Sequence, residues 1–292
     1  MQQLIDEDFL RRLANLRFVS HRRQGGRFSG GHVSPRAGMS IEFADYRDYV
    51  PGDDLRYVDW NIYGRLERLL VKTFVQELDV PVYFLVDTSA SMRLGRPPKA
   101  VYASQLALAL GYLALRNLDR VGLFPFAERL AESVPPRHGM AQFSRFLRAL
   151  SGIDPQGRTS LARSVEDFLS QTRETGIVVL ISDFLTSDDL GEPLARLSYR
   201  GDDIVAIQVL DRDDIAPTHT GPFRFQDIET DEQTLLSVGP GTLETYRTRF
   251  ADYEAALRRQ LESHKAPLFV VTTDRPLERF IYEDLRAGGI LR

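Results

Sequence analysis

From residue 80 onward the chain alternates between short apolar runs and longer stretches whose apolar residues recur at helical spacing. That pattern predicts a mostly parallel sheet wrapped by helices. The run Val80-Pro81-Val82-Tyr83-Phe84-Leu85-Val86 is continuously apolar and rich in β-branched and aromatic residues, which suits a central strand buried on both faces. Residues 98–117 follow as a helix carrying Val101, Leu106, Leu108, Leu110, Leu113 and Leu115 on most of its sides, so it is expected to be deeply packed. Residues 121–126 predict the next strand, 143–150 and 161–172 amphipathic helices, and 177–181 the clearest strand of the chain. Residues 204–210 and 268–272 add two more strands, with helices over 190–199, 243–264 and 277–287.

Two regions break the rhythm. Residues 211–240 form a long polar insertion punctuated by Pro217, Gly221, Pro222, Gly239 and Pro240; loops of that length are functional or carry small strands of their own. Residues 1–79 lack the strand–helix alternation and predict an irregular N-terminal extension. Its first forty residues are basic, with Arg11, Arg12, Arg17, Arg22, Arg23, Arg27 and Arg36, and loose at Gly25-Gly26 and Gly30-Gly31. The expected division is therefore an extension over 1–79 and an α/β domain over 80–292 with its insertion at about 211–240.

Composition narrows the chemistry. With 292 residues and 43% hydrophobic content there is enough chain for one large domain and an appendage. A formal net charge of -4 argues against a dedicated nucleic-acid binder, which carries a basic footprint. The absence of cysteine excludes disulfides and thiolate metal sites. The acidic start Asp6-Glu7-Asp8 lacks the apolar run of a signal peptide, and no apolar stretch approaches the roughly 20 residues of a membrane span. A cytoplasmic protein with no stable membrane span is the expectation.

Asp87-Thr88-Ser89-Ala90-Ser91 lies where the first strand stops, and ligands of open α/β sheets bind beyond the carboxyl ends of the strands. A carboxylate followed by two hydroxyls at alternate positions offers hard oxygens of the kind Mg²⁺ or Mn²⁺ takes; the bland alternative is a solvated turn with a capping serine. Thr159 precedes a helix and Asp183 ends the best strand, so both should reach the same sheet edge. Ser89 is expected to present an exposed hydroxyl. Here the chain resembles the von Willebrand factor type A fold and its metal-ion-dependent adhesion site. By that resemblance the ligands map to Asp87, Ser89, Ser91, Thr159 and Asp183. Arg158 and Phe184 stand where that family commonly has glycine. The resemblance implies a site that completes its coordination with a partner's carboxylate rather than one that breaks bonds.

Upstream, Arg47-Asp48-Tyr49-Val50-Pro51-Gly52-Asp53-Asp54-Leu55-Arg56-Tyr57-Val58-Asp59-Trp60 is dense in charge and aromatics, with Pro51-Gly52 suited to a type II turn. Its bland reading is a structural strap in which Arg and Asp pair with each other and Trp60 is largely buried. With Glu42-Phe43 before it and Val71-Lys72 and Glu77 after it, the run resembles the bacterial domain of unknown function fifty-eight family, as does the acidic stretch 227–232. Some members carry N-terminal membrane spans, which this sequence lacks. Members are often encoded beside MoxR-type AAA+ ATPases, so the resemblance implies such an ATPase as partner.

Three functions compete. A metal-dependent protein–protein interaction module is favoured. A metal-dependent hydrolase is the second: a haloacid-dehalogenase-type phosphatase also begins with an aspartate after its first strand, but it needs a second aspartate where Ser89 stands. A serine nucleophile needs a histidine base, and His21, His32, His138, His219 and His264 form no motif. No glycine-rich phosphate loop follows a strand, so ATP hydrolysis by this chain is not expected, nor is enzymatic activity in general. The third is a scaffold with a vestigial metal site.

Overall fold

The computed structural model describes residues 7–13, 16–19, 27–28, 41–76, 80–186, 188–228 and 232–292. The expectations placed on His21, Arg22, Arg23, His32, Arg36, Glu77 and residues 229–231, and on the side chains of Arg27, Glu42 and Phe43, lie outside what is described. The chain divides into two compact units, Met1–Phe18 with Val80–Arg292, and Val19–Asp79.

Helix α1 (Glu7–Leu13) belongs to the larger unit. In the smaller one, β1 (Arg27–Phe28), β2 (Ile41–Asp48) and β3 (Leu70–Gln76) form an antiparallel sheet in the order β1-β3-β2, with α2 (Trp60–Leu66) between its last two strands. The extension is thus not irregular throughout. Its strands were hidden because Ile41–Asp48 mixes acids and apolar residues without clean alternation.

The charged motif folds largely onto itself. Arg47 holds Asp53 with two hydrogen bonds of 2.6 Å, and Asp53 also accepts from the Val50 amide. Asp53 N returns to Val50 O, closing the turn whose third residue, Gly52, takes φ +109° as a type II turn requires. Asp59 caps α2 and also accepts from Tyr46 and Lys72. Trp60 is the exception: it is 56% exposed, not buried, because α2 presents it with Tyr63 and Leu66 on the helix's free side.

In the larger unit, β4 (Val82–Asp87), α3 (Lys99–Arg116), β5 (Val121–Phe126), β6 (Val134–Arg137), α4 (Met140–Ser151), α5 (Leu161–Gln171), β7 (Ile177–Ser182), α6 (Gly191–Arg200) and β8 (Asp203–Leu210) follow in order. The insertion after β8 contains α7 (Arg212–Ile215) and a hairpin of β9 (Gly221–Gln226) and β10 (Gln233–Val238), so it carries small strands of its own, one of the two alternatives expected. The chain closes with α8 (Pro240–Ser263), β11 (Leu268–Thr272), α9 (Leu277–Arg279) and a π-type turn over Phe280–Leu285. The six-stranded sheet runs β11-β8-β7-β4-β5-β6, parallel except for β6. This is the von Willebrand factor type A-like architecture. The edge strand β6 escaped the sequence reading because Val-Pro-Pro-Arg carries two prolines, tolerated only at an edge.

Every residue of β4 is buried. Tyr83 and Leu85 enter one core with Phe124 and Phe168, while Phe84 meets Phe146 on the other face. Helix α3 buries most of its side chains, as its apolar sides predict.

Candidate metal centre

Strand β4 lies between β5 and β7. The chain leaves β4 for β5 on one side and later returns to pair β7 on the other, so the carboxyl end of β4 is a topological switch point, where a crevice opens. Asp87 is the last residue of β4 and Ser182 the last of β7. Thr88 is tied to the end of β5, its amide and hydroxyl both donating to Phe126 O at 2.7 and 2.9 Å.

Asp87 is fully buried. Its Oδ1 accepts from the Ser89 amide at 2.8 Å; its Oδ2 accepts from Ser182 Oγ at 2.6 Å and from Thr159 Oγ1 at 3.4 Å. Ser89 Oγ and Ser91 Oγ are 3.1 Å apart. Gly157, at φ +75°, lets the Thr159 loop turn back so that its carbonyl takes the Ala90 amide. Four of the five expected residues are thereby linked in one network. Asp183 follows Ser182, and its charge is felt at Asp87: burial first, then Asp183, raises the Asp87 pKa to about 6 against the hydrogen bonds of Ser182 and Ser89. Ser89 itself is fully buried rather than exposed, since the loop folds its hydroxyl inward beside Asp87. Ser91 is half-buried, and Arg158 is exposed.

Sequence reasoning missed Lys99. It is 1% exposed, and its Nζ donates to Asp183 Oδ2 at 2.7 Å and to Asp214 Oδ2 at 3.1 Å. Burial lowers its pKa, but the charges and hydrogen bonds of Asp183 and Asp214 outweigh that and leave it raised. Asp183 Oδ1 meanwhile accepts from the Leu185 amide at 3.1 Å. Both Asp183 oxygens therefore arrive with one partner each and one lone pair to spare. The signal was faint: a lysine opening an otherwise apolar helix, and an aspartate in a polar insertion.

Among the described residues, no three His, Cys, Asp or Glu side chains gather in a group able to hold a metal. Any cation at this crevice must rely on hydroxyls beside two carboxylates. The donor set of Asp87, Ser89, Ser91, Thr159 and Asp183 is all hard oxygen, which fits Mg²⁺ or Mn²⁺. Charge fits as well: Asp87, Asp183 and Asp214 against Lys99 leave −2, the complement of a divalent ion.

A family profile described as "Protein of unknown function DUF58" matches residues 45–261. An uncharacterized protein of Mycobacterium tuberculosis (strain ATCC 25618 / H37Rv) is 28% identical over 268 residues, spanning 90% of this chain and 84% of that one. One from Mycobacterium bovis (strain ATCC BAA-935 / AF2122/97) has the same identity and coverage. Among solved structures, the conserved hypothetical protein BatB from Bacteroides thetaiotaomicron is 15% identical, covering 71% of this chain and 98% of its own, with a TM-score of 0.44. The vWF domain of the type V pili tip protein Mfa5 from Porphyromonas gingivalis is 11% identical, covering 74% and 98%, with a TM-score of 0.34.

Proposed function

The chain belongs to the DUF58 family, and from that premise we propose that it is a metal-dependent protein-docking module. The observation that carries the reading is the convergence of Asp87, Ser89, Ser91 and Thr159 oxygens at the switch point of the sheet. A divalent cation held there supplies positive charge and an open coordination position for a partner's carboxylate. The residues divide the work. Ser182 and the Ser89 amide hold the Asp87 carboxylate in one orientation. Thr159 comes from a separate loop and ties that loop to the site, while Ser91 is more accessible than the fully buried Ser89.

A MoxR-type AAA+ ATPase is our first choice of partner, on the family resemblance, with the chain acting in the cytoplasm as its adaptor in assembling or activating a target. No catalysis is assigned to it. Among the described residues no helix is long and apolar enough to cross a membrane.

One observation favours a second reading. The Lys99 ammonium already sits against Asp183, so the site carries an internal cation and would serve as a scaffold without any metal. Co-purification with a MoxR-type AAA+ ATPase in Mg²⁺ and in EDTA separates the two. Docking through the metal predicts that EDTA abolishes capture and that Ser91→Ala weakens it by at least about tenfold. Capture indifferent to both leaves the scaffold.

A further inference from the structure

A cleft of about 650 Å³ opens beside the metal loop, with Thr88 on its wall. Three arginines line it: Arg137 at the end of β6, and Arg145 and Arg148 on α4. The last two are three residues apart and so share one face of the helix, about 4.5 Å apart along its axis. The elements that carry them are locked together. Gln142, buried, donates to Pro135 O at 2.7 Å and Val121 O at 2.8 Å, pinning α4 to the edge strand β6 and to its neighbour β5. The positions of the arginines are therefore set by the fold and not by loop chance.

None of the three is paired with a carboxylate among the described residues; Arg148 makes a long 3.4 Å bond to its own helix at Ser144 O. Two acids also line the cleft. Asp154 is neutralised by Arg93 at 2.9 Å, leaving Glu132 as the single opposing charge. Three guanidinium groups against one carboxylate make a cleft of net charge +2 in a chain of net charge −4. Gly152 to Asp154, also in the lining, lead to Gln156, whose amide donates to Thr88 O at 2.8 Å. The arginines and the Asp87 loop thus border one continuous surface. A ligand crossing it meets fork-shaped donors matched to carboxylates.

We infer that this cleft is the docking groove for an acidic segment of a protein partner. One carboxylate of the segment is presented at the metal loop and the next few pair with Arg137, Arg145 and Arg148. The inference rests on the docking reading above and adds the chemistry of what docks: a polypeptide stretch dense in Asp and Glu. The arginines position it; the metal loop anchors its end.

The test uses the full chain and a fluorescein-labelled hexaglutamate peptide, with hexaglutamine as control, followed by fluorescence anisotropy in Mg²⁺ and in EDTA. The double variant Arg145→Ala/Arg148→Ala is expected to bind hexaglutamate roughly tenfold more weakly than wild type. Arg145→Lys/Arg148→Lys should recover only part of that loss, since lysine keeps the charge but not the fork, and neither pair should shift the melting temperature, since both side chains are exposed. Wild-type affinity in the alanine variant overturns the groove, while Mg²⁺ dependence in that same experiment leaves the docking reading standing. Tenfold weakening with equal affinity in Mg²⁺ and EDTA keeps the groove and removes the metal. Displacement of the peptide by inorganic phosphate, but not by chloride at equal ionic strength, makes the cleft a small-anion site and overturns the acidic-segment assignment.

Discussion

Phe184 occupies the left-handed region at φ 54°, immediately after Asp183, with its ring buried. The conformation explains why glycine suits this position in related folds: without Cβ it takes φ > 0 freely. Two effects then oppose each other in Phe184→Gly. Relief of backbone strain stabilises by about 1–2 kcal/mol, whereas deleting a buried aromatic ring costs about 3–5 kcal/mol. The ring wins, and urea denaturation should show the variant less stable by about 2 kcal/mol. A gain in stability would show that the strain dominates. Lys99 tests the same neighbourhood by charge. Lys99→Met leaves Asp183 without its buried counter-ion and should cost about 3–5 kcal/mol, read by the same denaturation. A neutral outcome would mean that Asp183 and Asp214 are solvated in a way the geometry does not show. The carboxylate and hydroxyl positions were legible because their alternation is written in five consecutive residues. Ser182, Lys99 and Asp214 were not, because only the sheet brings 99, 183 and 214 together.

At the scale of elements, α2 hangs on one residue. Asp59 caps it and joins β2 to β3 through Tyr46 and Lys72. The hydrogen bond from Lys72, then that from Tyr46, lowers the Asp59 pKa to about 2. A carboxylate whose folded pKa lies below its unfolded value of about 3.9 stabilises the fold above that pH, and the contribution disappears as pH falls towards 2. Trp60, next in sequence and the chain's single tryptophan, reports on it. Its fluorescence should change between about pH 4 and 2 in wild type, and that transition should vanish in Asp59→Asn. A flat wild-type titration over this range would remove Asp59 from its central place. The turn at Pro51-Gly52 was readable from two residues because their dihedral demands are intrinsic. The burial of Trp60 was not, because it depends on which side of a seven-residue helix meets the sheet.

For the whole molecule, the parallel sheet was legible from apolar runs because strands buried on both faces leave little room for polar residues. The hairpin and the edge strand were less so, since half-exposed strands tolerate prolines and charge. Net charge does not report local charge. A chain of charge −4 still assembles a cleft with three arginines that pair with no carboxylate among the described residues, because residues 137, 145 and 148 converge only when β6 and α4 pack. That cleft lies beside the β4 switch point, and the docking proposal rests on a cation held there. Isothermal titration of Mg²⁺ into wild type and into Asp87→Ala tests it most directly. One site of modest affinity is expected in wild type, since hydroxyls rather than carboxylates supply most of the proposed ligands, and no measurable heat from the variant. Equal binding by the two proteins, or none by wild type, would contradict it.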